Sequence, residues 1–326
     1  MHPALSVILL TTLLGVGQGL FLALYTGQLY SVAKLLEYQD SQTFYAVGSA
    51  LALAFLAAGL VASFFHLGHP ERAWRSIARW RTSWLSREVI ILPVVMLLVF
   101  LYGVVHYLEW TRPLFTVAGA LPVDATLIIG ALATLATFAL FICTGMIYAS
   151  IRFLQEWHCA LTVINFTLLG GASGFMLAAA FSAFIGVHLV GFYGTWAVIL
   201  TVTAMLTRGA ALLRNYRLRP KSTMQSAIGV RHTTIRQIAQ GAMGGSFNTR
   251  EFFHHRPAGT IAMARLAFIV LVFPAPVLLL GAAWGLSSGV LPILAFLVQY
   301  IGLLIERGYF FIDARHPQNL YYQSIA

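Results

Sequence analysis

The connection between two long apolar segments, residues 66–88, contains the densest group of side chains that can do chemistry. His66 directly follows the first segment and Glu88 opens the second, so both belong at one membrane depth. A histidine can donate to a quinone carbonyl, and a nearby carboxylate can relay the proton. Trp74 and Trp84 can wall such a pocket, or they can belong to the aromatic belt of a membrane interface.

A second interpretation of the same connection involves no ligand pocket. Ser86 or Glu88 can cap the helix that follows, because side-chain oxygens and negative charge favour a helix N-terminus. The arginines of the connection can then bind phospholipid headgroups. Residue types alone leave both interpretations open.

Four histidines near the ends of apolar segments permit another kind of chemistry. His66 and His158 belong near one membrane face, and His106 and His188 near the other. Two such pairs match the axial imidazoles that a dihaem cytochrome b needs. Histidines at helix ends would enclose a haem poorly, however, so we predict that this chain carries no haem. The alternative role for His106, His158 and His188 is hydrogen bonding to backbone or headgroups.

The elements that must hold these residues are membrane-spanning helices. Of the 326 residues, 59% are hydrophobic and 9% are charged, whereas about a quarter are charged in soluble proteins. A helix crosses the hydrocarbon core with about 20 apolar residues. We therefore predict an all-α fold, a polytopic membrane bundle of eight transmembrane helices that forms one domain over residues 1–326. The segments are residues 5–30, 44–65, 89–108, 125–149, 161–185, 187–206, 261–285 and 289–305.

Glycines and prolines within these spans predict how the helices pack and bend. Small residues let helix backbones approach closely in lipid. We expect that packing role for glycines of the first and fifth spans, namely Gly15, Gly19, Gly170, Gly171 and Gly174. Pro274 and Pro276 should kink the seventh helix.

Basic residues divide the connections into two classes. All but two of the 20 Lys and Arg residues, the exceptions being Lys34 and Arg112, fall on the face that carries both termini. The positive-inside rule makes this face cytoplasmic, in a multi-pass protein of the inner (cytoplasmic) membrane. The longest connection, about residues 207–260, lies on it. Because a basic face can also be selected to bind an acidic partner, it is a predicted docking surface too.

The ten Asp and Glu residues fall in connections or near predicted helix ends, and none is expected at mid-membrane. Proton-coupled transporters typically need buried carboxylates along a path, and no paired broken helices are apparent. A transporter is therefore disfavoured but stays an alternative, as does a haem b cytochrome subunit.

Three polar segments carry a family resemblance, because segments of this kind do not arise from hydropathy. They are His66-Leu67-Gly68-x-Pro70-x-Arg72-Ala73 with Ser83-Trp84-Leu85-Ser86-Arg87-Glu88, the central residues 227–232 with 244–252, and the tail residues 306–322. They resemble the membrane-anchor subunit family of dimethyl sulfoxide reductase, and the likeness spans most of the chain.

The resemblance implies a haem-free anchor, inactive alone, in a three-subunit molybdoenzyme complex. A catalytic subunit would carry molybdopterin. An iron–sulfur subunit with four clusters would dock on the anchor and exchange electrons with a quinone, either ubiquinone or menaquinone. The quinol-site His and Glu of the family match His66 and Glu88 here. We add Arg72, Trp84 and Ser86 as residues expected to shape the pocket.

Two branches of this family differ in the side on which the catalytic subunits lie. Residues 207–260 look more like the anchor of the sulfite-oxidising branch, whose catalytic subunits are cytoplasmic. In the branch that reduces dimethyl sulfoxide with menaquinol, those subunits face the periplasm. The predicted cytoplasmic docking face favours sulfite oxidation with quinone reduction, and a dimethyl sulfoxide or related reductase is the alternative.

Overall fold

The computed structural model describes residues 5–117, 121–236, 238, 257–317 and 320, and these form a helical bundle. Its helices are α1 (Leu5–Val32), α2 (Val47–Phe64), α3 (Trp84–Tyr107), α4 (Ala125–Ala149), α5 (Ala160–Ile185), α6 (Val190–Tyr216), α7 (Met224–Ile228), α8 (Ala258–Val272), α9 (Pro274–Leu286) and α10 (Val290–Ile312). A π-helical turn (Ser41–Ala46) precedes α2, and 3-10 helices cover Pro70–Arg79 and Val187–Leu189. Strands β1 (Phe115–Val117) and β2 (Leu121–Val123) pair antiparallel, with Phe115 opposite Val123.

Within the described part of the chain, eight helical stretches are long and apolar enough to cross a membrane, which confirms the predicted fold class. They are Leu5–Val32, Ser41–Phe64, Trp84–Tyr107, Ala125–Ala149, Ala160–Ile185, Val187–Tyr216, Ala258–Leu286 and Val290–Ile312. Two of them end later than predicted. The sixth continues past residue 206 to Tyr216, and the eighth continues past residue 305 to Ile312. Both extensions contain charged residues that are buried in the bundle.

The helices alternate in direction, so the bundle has two distinct ends. At one end, the Trp157 indole Nε1 before α5 donates to the Phe310 carbonyl near the end of α10 (2.9 Å). We call this the basic end; it comprises the starts of α1, α3, α5 and α8 and the ends of α2, α4, α6 and α10. At the opposite end, Ser41 lies 2.6 Å from the Nδ1 atom of His106 near the end of α3.

Helices α1 and α5 cross with their backbones in contact. A Cβ atom added at Gly174 would lie 2.0 Å from the carbonyl carbon of Gly19, and one at Gly19 would lie 2.2 Å from the Gly170 oxygen. No side chain fits between backbones this close. The crossing confirms the predicted packing role for Gly15, Gly19, Gly170 and Gly174, whereas Gly171 faces Leu200 with ordinary room.

Gly174→Ala is expected to lower the free energy of unfolding by about 1–3 kcal/mol, because the methyl group forces the two backbones apart. Gly171→Ala is the matched control: its Cβ would first meet Leu200 at 3.7 Å, an ordinary contact. There the gain in helix propensity should leave stability unchanged or slightly higher. Denaturant unfolding of both variants in detergent measures the difference. Equal effects of the two substitutions would contradict the proposed crossing.

The seventh span is interrupted beside its prolines, where the sequence predicted a kink. Helix α8 ends before Phe273, whose backbone departs from helical geometry (φ −108°, ψ −77°), and α9 begins at Pro274. Proline lacks a backbone N–H, so the hydrogen-bond ladder is interrupted there.

Candidate functional site

The first turn of α3 is fixed to the connection that precedes it. Ser83 is the N-cap, and its side chain accepts from the Ser86 amide (3.3 Å). The prediction that Ser86 or Glu88 caps this helix is therefore wrong. The Arg87 guanidinium donates to the carbonyls of Trp80 (3.0 Å) and Arg81 (2.9 Å). These bonds hold the 3-10 segment against the helix start.

Glu88 lies in the second turn of α3 and is buried, 7% exposed. Its Oε1 accepts a hydrogen bond of 2.5 Å from the Thr144 hydroxyl of α4. Among the described residues it has no ion-pair partner. A buried carboxyl with a single neutral donor is costly to ionise, so it is suited to exchanging a proton rather than to holding a fixed charge.

His66 lies just beyond the end of α2 and is exposed. Its imidazole has no hydrogen-bond partner among the residues that the structure describes, so its ring nitrogens are available to a ligand. Partial desolvation lowers the pKa of His66 below its ordinary value. At neutral pH the ring is therefore mainly neutral, with one N–H donor and one acceptor nitrogen.

The five predicted site residues fall into two groups. Ser86 and Glu88 are buried at the start of α3, whereas His66 and Arg72 are exposed, and Trp84 is half-buried between them. Within the described part of the chain, no hydrogen bond or ion pair joins His66 to Glu88. The structure places both at the basic end, as predicted, but shows no direct link between them.

Arg72 and Trp84 each contact a neighbour close in sequence. The Nε atom of Arg72 lies 3.6 Å from Glu71 in an exposed pair. The ring of Trp84 is covered by the Arg87 guanidinium at 4.2 Å from the ring centroid. The aromatic face of Trp84 is therefore already occupied by a cation on one side.

The 3-10 segment Pro70–Arg79 forms an amphipathic surface next to His66. It contains no buried residue. Trp74 is 66% exposed and Trp80, just beyond it, is 53% exposed. Arg75 and Arg81 lie over these rings at 5.6 and 5.4 Å. Exposed tryptophans with basic neighbours are typical of segments at a membrane interface or a docking surface.

A buried ion cluster, Arg208, Glu306 and Arg307, was not predicted from the sequence. The Arg208 Nε atom lies 2.8 Å from Glu306 Oε1, and the Arg307 Nε atom lies 3.7 Å from Oε2. Arg307 also lies 3.8 Å over the ring of Phe166. Glu306, 1% exposed, precedes the end of α10 at Ile312 by about 9 Å of helix. The predicted span ended at residue 305, so the sequence did not reveal that Glu306 lies within α10 and is buried.

Tyr148 packs beside this ion cluster, because its ring stacks on Phe166, over which Arg307 lies. Its phenol lies within electrostatic range of both the Glu88 carboxyl and the Arg307 guanidinium. Its ring stacks on Phe166 (centroids 5.4 Å apart) and meets Trp157 edge-on (5.5 Å). Sequence reasoning also missed Thr144 and Tyr148, because both look like ordinary residues of an apolar span.

Three further histidines occupy different surroundings. His106 is buried, with Nδ1 at 2.6 Å from Ser41 and its ring 4.6 Å from that of Tyr45. It lies near the end of α3, as the sequence predicted, but its partner is a side chain rather than backbone or a headgroup. His158 Nδ1 lies 2.5 Å from the Ala149 carbonyl, as the backbone-bonded alternative predicted. His188 is exposed and lies 4.0 Å from Glu37.

An eight-span helical bundle with buried ionisable groups at a basic end defines an integral membrane protein, and sequence comparison specifies its family. The family model of the DMSO reductase anchor subunit (DmsC) matches residues 1–313, and the chain belongs to this family. The predicted resemblance is confirmed. A sulfite dehydrogenase subunit from Allochromatium vinosum is 66% identical over 326 residues, which is 100% of both chains. Residues 244–252, 318–319 and 321–322, which contributed to the resemblance, lie outside the described residues.

Proposed function

We propose that this protein is the quinone-reactive membrane anchor of a three-subunit molybdopterin oxidoreductase that oxidises sulfite. The observation that supports this most is the 66% identity, over the full length, to a protein named as a sulfite dehydrogenase subunit. Electrons released from sulfite in a molybdopterin catalytic subunit pass through an iron–sulfur subunit to membrane quinone at the anchor. The whole chain acts as one membrane domain in this proposal.

His66 and Glu88 have the properties that a quinone site at the basic end requires. The exposed, neutral imidazole of His66 can donate its N–H to a carbonyl oxygen of the ligand. The buried Glu88 carboxyl can deliver a proton, with Thr144 holding its orientation. Quinone reduction takes up two electrons and two protons. This chain supplies the proton donors, while the electrons come from the docked partner.

The basic end is the proposed docking surface for the iron–sulfur subunit. Electron transfer requires the partner's cluster to be near the quinone site, so the docking side and the side of His66 must coincide. The exposed Trp74 and Trp80, with their neighbouring arginines, offer aromatic and cationic contacts of the kind enriched in interfaces. We place this end, with both termini, on the cytoplasmic side of the inner membrane.

The second candidate function is that of an anchor for a dimethyl sulfoxide or related reductase, which would oxidise menaquinol. The family description itself, DMSO reductase anchor subunit, supports it. The two candidates differ in electron direction and in the substrate of the catalytic partner, and one assay separates them.

The intact complex, purified in mild detergent, is expected to reduce a short-chain quinone analogue when sulfite is added. The same soluble subunits purified without the anchor should still transfer electrons from sulfite to an artificial dye, because that reaction does not need the membrane subunit. They should not reduce the quinone analogue. Quinone reduction at an unchanged rate without the anchor would refute the proposed role. Quinol oxidation driven by dimethyl sulfoxide, with no response to sulfite, would instead select the second candidate.

A further inference from the structure

A second feature of the basic end is an open cleft of about 810 Å³, separate from the His66 and Glu88 region. Three parts of the chain form its walls: the connection between α4 and α5, the end of α6 with the segment after it, and the residues that follow α10. The lining includes Phe153, Gln155, Leu218, Arg219, Lys221 and Arg315. Its size is in the range of cavities that bind small ligands.

The cleft walls are tied together by polar contacts to the α4–α5 connection. The Arg214 guanidinium donates to the carbonyls of Gln155 (3.0 Å) and His158 (3.4 Å). The Gln155 side chain is oriented so that its amide nitrogen donates to the Arg219 carbonyl (3.2 Å). Its amide oxygen accepts from the backbone N–H of Lys221 (2.9 Å). The cleft is therefore preformed rather than dependent on a ligand to assemble it.

Three cations border the cleft. Arg219, Lys221 and Arg315 make no side-chain hydrogen bond or ion pair within the described part of the chain, although Arg315 feels the field of Asp313. The rest of the lining is largely apolar, with Phe153, Leu218, Met224, Pro317 and Leu320. Cationic groups beside an apolar trough are complementary to an amphiphile with an anionic head.

One acidic residue, Glu156, also lines the cleft and has to be accounted for. Its Oε2 atom is buried and has no hydrogen-bond partner among the described residues. Glu156 lines, in addition, a small cavity beside Arg208, Glu306 and Arg307. Among the described lining residues of the cleft there are three cations and one carboxylate, so the net charge of the lining is positive.

We propose that this cleft binds an anionic phospholipid, with the headgroup phosphate on Arg219, Lys221 and Arg315 and the acyl chains along the apolar wall. The lining residues lie at most eight residues from the ends of membrane-spanning helices at Ala149, Tyr216 and Ile312, so we expect the cleft to be near the lipid headgroups. Basic pockets at helix ends recognise such headgroups. An acidic peptide is a poorer fit, because its backbone would need polar partners that the largely apolar wall does not offer.

The test is a titration of the full-length chain in detergent with phosphatidylglycerol, followed by native mass spectrometry. The wild type should bind phosphatidylglycerol more tightly than phosphatidylcholine. A triple variant, Arg219→Gln with Lys221→Gln and Arg315→Gln, should lose about fivefold in affinity per cation and about a hundredfold in all. Without added lipid its unfolding midpoint should equal that of the wild type. If the triple variant is less stable than the wild type, the single Arg219→Gln variant should still weaken phosphatidylglycerol binding about fivefold.

The matched control removes the same charge from the same end of the bundle. The triple variant Arg75→Gln with Arg79→Gln and Arg81→Gln changes the 3-10 segment and the exposed turn that follows it, and it should change the affinity by less than about tenfold. Equal losses in the two triple variants would overturn the proposal, because binding would then reflect general surface charge. If inorganic phosphate bound the wild type as tightly as phosphatidylglycerol does, the cleft would be a free-anion site, and this result would also overturn the proposal. If the Arg219, Lys221 and Arg315 triple variant kept normal lipid affinity but lost its co-purifying soluble subunits, the cleft would be a protein-docking site instead.

Discussion

Replacing Glu88 with Gln in the assembled complex is expected to slow quinone reduction by about a hundredfold, the usual contribution of a positioned general acid or base. Glutamine keeps the size of the side chain and can still accept the Thr144 hydrogen bond, so the α3–α4 contact survives. It cannot give up or take a proton at this site. Transfer of electrons from sulfite to an artificial dye should be unchanged, because that reaction bypasses the anchor.

Glu71→Gln is the matched control for Glu88→Gln. Glu71 lies in the same connection but is exposed, near His69 and Arg72. Its replacement should leave both activities unchanged. Thr144→Val should give an intermediate loss of quinone turnover, because it leaves the buried carboxyl without its donor, at a cost of about 1–3 kcal/mol. Full quinone turnover in the Glu88→Gln complex would exclude this carboxyl as the proton relay.

The histidine half of the site is tested by comparing two exposed residues three positions apart. His66→Ala should abolish most quinone turnover, since it removes the exposed imidazole N–H that the proposal assigns to the quinone carbonyl. His69→Ala should have little effect, because His69 Nδ1 already lies 3.0 Å from Glu71. A loss in both variants would indicate damage to the connection rather than removal of a ligand contact.

Apolar length and charge distribution were sufficient to predict the eight spans, because each span must be long enough to cross the hydrocarbon core. The glycines of α1 and α5 were likewise interpretable, since close backbone approach is the main use of such patterns in membranes. The ends of α6 and α10 could not be predicted in this way. Arg208 and Glu306 each look like a stop signal, yet they pair with each other inside the bundle. The residues after Arg208 and Arg307, which include Ala210, Ala211, Phe310 and Phe311, could have shown that the helices continue.

The candidate site was predictable only in part. His66 and Glu88 came from a segment whose polar pattern is specific to a family. The contact of Glu88 with Thr144, in contrast, joins two residues that are 56 positions apart on different helices. No local sequence pattern indicates it. Burial of His106 depends in the same way on Ser41, Tyr45 and the packing of α3 against α2. Tertiary contacts of this kind decide whether an ionisable side chain is interfacial or buried.

Glu306→Gln is expected to lower the free energy of unfolding by about 3–5 kcal/mol, because removing one member of a buried ion pair leaves the other charges uncompensated. Arg208 and Arg307, 4% exposed each, would then face one another with no carboxylate between them. Glu37→Gln is the control: Glu37 is exposed and lies 4.0 Å from His188, so its loss should cost less than about 1 kcal/mol. Denaturant unfolding in detergent measures both variants.

The double variant Arg208→Met with Glu306→Leu separates the charge effect from simple loss of packing. The Arg208 guanidinium lies over the rings of Phe268 (5.6 Å) and Phe310 (6.0 Å), so a methionine there has apolar neighbours. Replacing buried ion pairs with apolar residues is often neutral or stabilising. The double variant should therefore recover part of the stability lost in Glu306→Gln, and the remaining loss reflects Arg307, which still lacks its partner. A Glu306→Gln cost below about 1 kcal/mol would mean that water screens the cluster. In that case water would reach the arginines from the proposed lipid cleft through the small cavity beside them. Glu156 lines both this cavity and the cleft.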